Sequence, residues 1–253
     1  MTKVHSRPAA ARLATTPLEQ RVWDALGTVM DPELDEAVTT LGFVQEWSVD
    51  DGVARVRLRL PTYFCAPNFV WMMVADAHEA LSAVEGLVHI DVGVDDHFAT
   101  DEIALAGDAS ASCGGHADVP NLDELRLTFR RKAYTAALDR VWRQLRRDGA
   151  VVADLADRCL ADVPPSDDRD RLVRCRAALG LPTDPRSMLL LDETGESIST
   201  AEAEIWLRRA QTVRVNIEGN AELCRGLLCS RYELGEHQAQ IATPLSITPR
   251  VRA

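Results

Sequence analysis

The sequence predicts an α+β protein: a small α-β-β-α-β N-terminal domain, then a mainly helical C-terminal region containing a few strands. Three observations carry this. The stretch Val53 to Leu60 alternates strictly and follows an Asp-Gly turn, a strong hairpin signal. Apolar residues at helical spacing flank the hairpin on both sides. Beyond residue 120 most segments keep a helical period, with capping residues before them and glycine after.

Taken in order, Thr16-Pro17-Leu18-Glu19 opens the first helix. Thr16 caps it, Glu19 completes a capping box, and Pro17 suits the first helical position. Leu18, Val22, Ala25, Leu26 and Val29 form its apolar face, and the helix stops before Asp31-Pro32-Glu33, because the residue before a proline is pushed out of the helical region. Phe43 to Val49 is the first strand, Asp50-Asp51-Gly52 the turn, and Val53 to Leu60 the second strand. Ala54, Val56, Leu58 and Leu60 share one face; Arg55, Arg57 and Arg59 share the other. A helix from Pro67 to Val84 buries Met73, Ala77, Ala80, Leu81 and Val84, and Gly86 ends it. A third strand spans Leu87 to Val94 with Val88, Ile90, Val92 and Val94 on one side, and a parallel crossover joins it to the second. Two helices on one face of this small mixed sheet would bury a single core.

Residues 101–119 read as a linker loop rich in Asp, Ala, Ser and Gly, containing Cys113-Gly114-Gly115-His116. Asn121 and Glu124 form a capping box for a helix to Arg147. Its apolar stripe is Leu122, Leu125, Phe129, Ala133, Ala137, Val141 and Leu145, and its other face carries seven arginines, Arg140 among them. Further helices are expected over 151–160 and 167–179, a buried strand over 187–191, a helix from Ser199 or Thr200 to Ala210, a strand over 212–217 and a helix over 220–229. The domain reading is therefore a flexible tail at 1–16, an N-terminal domain at 17–100, the linker, a helical α/β client or partner domain at 120–236, and a flexible tail at 237–253.

The chain has 253 residues and a formal net charge of −11, which argues against general nucleic-acid binding. No apolar run approaches the roughly 20 residues of a membrane span. The basic start has no apolar core of the kind a secretory signal needs, and six cysteines in a chain this long read as reduced thiols, so a cytoplasmic location is expected. No phosphate loop, nucleophile elbow or HExxH motif is present.

The stretch Leu60 to Phe69 is where chemistry is expected. Cys65 lies where a strand ends and a helix begins. The unpaired N–H groups of a helix start carry about half a positive charge, which favours a thiolate. Thr62 and Asn68 bracket Cys65 and are candidate pocket residues; each would equally well satisfy loop backbone. Asp31 and Glu33 flank Pro32, as a polar wall or as turn chemistry. Cys113 and His116 on a Gly-Gly hinge are a second candidate metal pair, with Cys65, His97 or Asp118 completing it. Cys159, Cys175, Cys224 and Cys229 sit among apolar helical residues and read as packing groups. The arginine face of the 121–147 helix is a solvated face or a docking face for an acidic partner.

Several of these pieces carry a resemblance. Asp31-Pro32-Glu33-Leu34, Leu41-Gly42-Phe43-Val44, Leu60-Pro61-Thr62, Cys65 and Val84-Glu85-Gly86-Leu87-Val88-His89-Ile90-Asp91-Val92 follow the order and spacing of the PaaD/SufT-type metal–sulfur cluster assembly family. The resemblance covers residues 17–100 only. It implies a small α/β domain associated with iron–sulfur cluster assembly or the maturation of metal-dependent oxygenases, with Cys65 as the loop cysteine and Asp31 and Glu33 as the acidic motif. Many members have proline directly after the cysteine; here Ala66 intervenes before Pro67.

The expected function is an iron–sulfur or metal-centre maturation factor rather than a turnover enzyme. Cys65 would hold iron or a cluster transiently, and Asp31, Glu33, Thr62 and Asn68 would shape the pocket. The expected partner is a client metalloprotein, such as a metal-dependent monooxygenase, or the cluster-assembly machinery; a homodimer is left open. Neither nucleic acid nor membrane is expected as a partner. The alternatives are a binding adaptor with an inert cysteine and a thiol-redox protein using Cys65 and Cys113.

Overall fold

The computed structural model describes residues 16–98, 122–155 and 157–234. These fall into two compact units. Residues 16–31, 36–98 and 221–234 belong to the first; residues 32–35 and 122–220 belong to the second. The protein is mixed α+β: the strands lie in the first unit, and helices dominate the second.

In the first unit, helix α1 (Pro17–Leu26) has the expected capping box: Thr16 Oγ1 accepts from the Glu19 amide at 3.2 Å, and Glu19 Oε2 accepts from the Thr16 amide at 2.9 Å. Val22 and Leu26 are buried from this helix and Val29 from the turn after it. Two short antiparallel strands follow, β1 (Met30–Asp31) and β2 (Glu36–Ala37), a pair too short for the sequence to announce. Strands β3 (Val44–Asp50) and β4 (Val53–Leu58) form the hairpin. Asp51 and Gly52 take φ values of 49° and 76°, the left-handed pair that two-residue hairpin turns demand. Helix α2 (Pro67–Ser82) crosses over to β5 (His89–Val94), which pairs with β4 in parallel, giving the order β3-β4-β5. Helix α1 packs on β3 and α2, and α2 packs on β1 and β5.

Two residues leave the faces that alternation assigned them. Val88 is 81% exposed. It precedes β5, its amide donates to Gly52 O at 2.8 Å, and its side chain lies over the Gly52 turn rather than under the sheet. Arg59 is buried, with Nε donating to Gly42 O at 3.0 Å. Strand β4 ends at Leu58; the Arg59 amide still donates to Phe43 O at 2.8 Å, and its side chain is held in by the Gly42 carbonyl.

In the second unit, α3 (Leu122–Arg147) matches its expected span; Asn121, its expected cap, lies outside the described residues. Residues 134–139 are all buried, so the middle of α3 is enclosed on every side rather than along one stripe. Arg140 correspondingly leaves the solvated face: its guanidinium pairs with Asp35 at 3.6 Å and Glu218 at 3.2 Å. The expected helix over 151–160 is instead α4 (Val152–Leu155) and a separate 3-10 turn over Leu160–Asp162. Asp162 accepts from the Cys159 amide at 2.7 Å, and that side-chain bond starts the new turn. Helix α5 (Asp167–Ala178) packs on α3 and is capped by Ser166.

The expected strand at 187–191 is buried but is not a strand. Among the described residues its strand-like pairing is limited to the single bridges Cys159–Met188 and Leu191–Ser197. Side chains take up three of its carbonyls: Arg176 donates to Met188 O and Leu189 O at 2.9 and 2.7 Å, and Tyr134 donates to Leu191 O at 2.8 Å. The strand expected at 212–217 is helical, inside the 33-residue α6 (Thr200–Tyr232) that also absorbs both helices flanking it. Val213, Val215 and Ile217 do alternate, but burial follows Ala203, Leu207, Ala210, Arg214, Ile217 and Ala221, three or four apart, and then Leu228 two turns further on. Residues 200–220 of this helix belong to the second unit and residues 221–232 to the first. No helix among the described residues is long and apolar enough to cross a membrane.

Candidate functional site

Strands β4 and β5 are parallel, so their carboxyl ends open side by side, the edge at which α/β sheets gather ligand-binding loops. Two loops leave that edge. The one after β4 runs from Arg59 through Cys65 to α2. The one after β5 runs from Asp95 to Phe98.

Backbone bonds hold the loops together. The Asp95 amide donates to Leu58 O at 2.8 Å, extending the parallel ladder by one step. Asp96 then adopts a left-handed conformation with φ 58°, which a short polar side chain tolerates, and the chain turns so that His97 meets the first loop. His97 is only 4% exposed, and its Nε2–H donates to Cys65 O at 2.8 Å. Burial pushes the Asp95 carboxyl above its usual range against the pull of Arg57.

Cys65 is a half-buried free thiol. Its Sγ lies 3.3 Å from Thr62 Oγ1, within hydrogen-bond reach. Helix α2 starts two residues later: Ala66 is its N-cap without a side-chain cap, and Pro67 is its first residue. Tyr63, Phe64 and Phe98 are 44%, 78% and 50% exposed. Their ring centroids lie 5.1 to 6.2 Å apart, and Phe98 also stacks on His97 at 4.7 Å. The two loops that carry the half-buried sulfur and His97 thus also carry a cluster of exposed aromatic rings. Such a surface suits a protein partner better than a small polar substrate.

Of the pocket residues expected from sequence, Thr62 stands against the thiol. Asn68 is half-buried in the first turn of α2. Asp31 is buried in β1, the strand that packs on α2. Glu33 lies half-buried in the 32–35 turn, which belongs to the second unit. In that same turn Asp35, absent from the expected set, pairs with Arg171 at 3.1 Å and with Arg140. Burial raises the Asp35 carboxyl's pKa while both arginines pull it down. Cys113, His116 and Asp118 lie outside the described residues. Among the described residues, no three His, Cys, Asp or Glu side chains converge as a metal site.

Cys159, Cys175 and Cys229 are likewise half-buried free thiols, and Cys224 is half-buried. Cys175 packs against the core of the second unit, where burial and then the Asp35 charge push its thiol up to about 12. Sequence reasoning named His97 only as an extra metal ligand. Its bond to Cys65 O depends on a turn at Asp96 that no local pattern announces. The Tyr63-Phe64 pair was visible beside Cys65, but its exposure was not.

Residues 19–94 match the model of a family described as iron-sulfur cluster assembly protein. The matched stretch contains the hairpin, Cys65, α2 and β5, and it ends before His97. No curated protein matches the chain. Residues 19–94 are therefore similar to an iron–sulfur cluster assembly domain.

Proposed function

We propose that this protein is a maturation factor that holds iron or an iron–sulfur cluster transiently on Cys65 and passes it to a client metalloprotein. The observation that carries the reading is the placement of Cys65: a half-buried thiol between Thr62 and the His97-bound loop, with exposed aromatic residues beside it. The domain match supplies the cargo class. A soft sulfur is a fitting ligand for iron. A carrier with one cysteine borrows its remaining ligands from the donor or the client, and so releases its cargo readily.

Each transfer is a ligand exchange. As the S–Fe bond forms, the Cys65 thiol gives its proton to solvent and one ligand of the incoming iron leaves. On delivery a client thiolate displaces Cys65, which takes a proton back. No electrons change hands. Thr62 Oγ1 stabilises the sulfur by hydrogen bonding, and the loop bond from His97 keeps it at the rim. Asp31, Glu33 and Asn68 remain pocket candidates on the acidic motif and the helix start.

The helical second unit serves as the client or partner domain. It contains a cavity of about 510 Å³ whose lining includes Arg131, Asp192, Glu196, Glu202, Trp206 and Arg209, a mixed-charge surface with one large aromatic group. A metal-dependent oxygenase fits as client.

Anaerobic reconstitution with iron and sulfide, with bound iron quantified, tests the carrier. Stoichiometric iron is expected on the wild type and its loss on Cys65→Ser. No iron on either protein overturns direct carriage and leaves an adaptor with an inert cysteine. A loss of two mass units on mild oxidation, absent in Cys65→Ser, would instead support thiol-redox chemistry with Cys113.

A further inference from the structure

We propose that Arg231, in the last turn of α6, is a positioning residue for Cys65, clamping together the two loops that carry the cysteine and His97. This rests on the reading of Cys65 as the working thiol. Arg231 lies far outside the matched family region, so the rest of the chain supplies this clamp to the assembly domain.

The geometry is specific. One terminal nitrogen of Arg231 donates to Leu60 O at 3.1 Å. The other donates to Asp96 O and to Asp96 Oδ2, each at 2.7 Å. Leu60 stands at the root of the Cys65 loop, and Asp96 is the left-handed residue directly before His97. A planar guanidinium satisfies acceptors on both loops at once and fixes their separation; a single ammonium cannot span them in the same way.

That separation governs whether His97 Nε2 reaches Cys65 O, and hence where the thiol sits at the rim. The clamp is itself backed. The Tyr232 ring lies 5.2 Å from the Arg231 guanidinium and 5.3 Å from that of Arg59, whose Nε donates to Gly42 O. Burial lowers the Arg59 pKa, and the Tyr232 ring offsets part of the cost of holding that charge inside. The end of α6 and the end of β4 are thereby tied at the point where the Cys65 loop begins.

Site-resolved alkylation of the full-length chain tests this, with iodoacetamide as probe and each cysteine quantified by peptide mass spectrometry. Arg231→Gln is expected to speed labelling of Cys65 about tenfold, the scale on which lost charge-assisted hydrogen bonds shift a local opening equilibrium. Cys159 and Cys175, in the other unit, should label as in the wild type. Arg231→Lys should restore part of the protection. Asp96→Asn, which keeps the backbone acceptor and removes only the charge, should speed Cys65 labelling about twofold to threefold. An unchanged Cys65 rate in Arg231→Gln overturns the proposal. So does a parallel rise at Cys159 and Cys175, which would mark general destabilisation. The measurement needs no iron, so failure of the carrier reading in reconstitution and failure of the clamp are separate results.

Discussion

Cys65 and Cys175 are both half-buried, and the two units make opposite things of them. Around Cys65 are a hydroxyl, a loop carbonyl bonded by a buried histidine, and an exposed aromatic rim. Around Cys175 are a packed core and the Asp35 charge, which together keep its proton on. The same contrast runs through the charges. On the outer face of the first unit's sheet, Arg57 and Asp91 form a bidentate pair that is still a third exposed. In the second unit, Asp139 and Arg214 face each other at 2.5 Å almost wholly out of water, with Glu218 on the same arginine. One unit spends its polar groups on presenting a surface, and the other on holding helices together.

Breaking the buried pair should have the largest effect. Asp139→Ala leaves Arg214 buried with only Glu218, and a cost of about 3–5 kcal/mol is expected. Asp91→Ala, which breaks the half-exposed pair, should cost about 1 kcal/mol or less. Urea unfolding of both variants checks the comparison, and equal costs would erase it.

Alkaline pH tests the burial in the second unit next. The Cys175 thiol rises from 9.0 to about 12 through burial and the Asp35 charge. Tyr134 rises from 10.0 to about 12 through burial, partly offset by Arg176. Above pH 9 the unfolded chain therefore binds fewer protons than the folded one, and stability falls as pH rises toward 12. Urea midpoints at pH 8, 9, 10 and 11 should decline steadily, and Cys175→Ala should flatten the decline from its lower end. A midpoint that stays level across this window would show that neither group is held protonated.

Much of this was legible in the sequence, and the failures have common causes. The capping box at Thr16, the Asp51-Gly52 turn and the Pro67 helix start are local signals, and each stands where it was read. The strand at 187–191 was misread because a short apolar run does not distinguish a strand from a buried loop, and the one at 212–217 because three alternating apolar residues fit a strand while the helical seam runs on past them. Which one forms depends on distant partners: Arg176 and Tyr134 for the first, the continuing seam of α6 for the second. The loop cysteine was readable because a strand end, a proline and a family pattern coincide there. Arg231 was not, because its acceptors lie 171 and 135 positions away in the chain.

The smallest effect on stability should come from a residue beside the proposed chemistry in the chain. Phe64 is largely in water, so its removal forfeits little burial, and Phe64→Ser should change the unfolding free energy by no more than about 0.5 kcal/mol. Its cost, if the rim is a partner surface, is paid only in the complex, where truncating an aromatic anchor typically weakens binding by about tenfold or more. Iron uptake by reconstitution should match the wild type, because Phe64 contributes no ligand. Delivery to a client metalloprotein should slow. A variant that loads iron normally and delivers it normally would remove the aromatic rim from the function and leave Cys65 alone as the asymmetry between the two units. A variant that loads but fails to deliver would locate client recognition on the first unit and make the second unit's buried charges purely architectural.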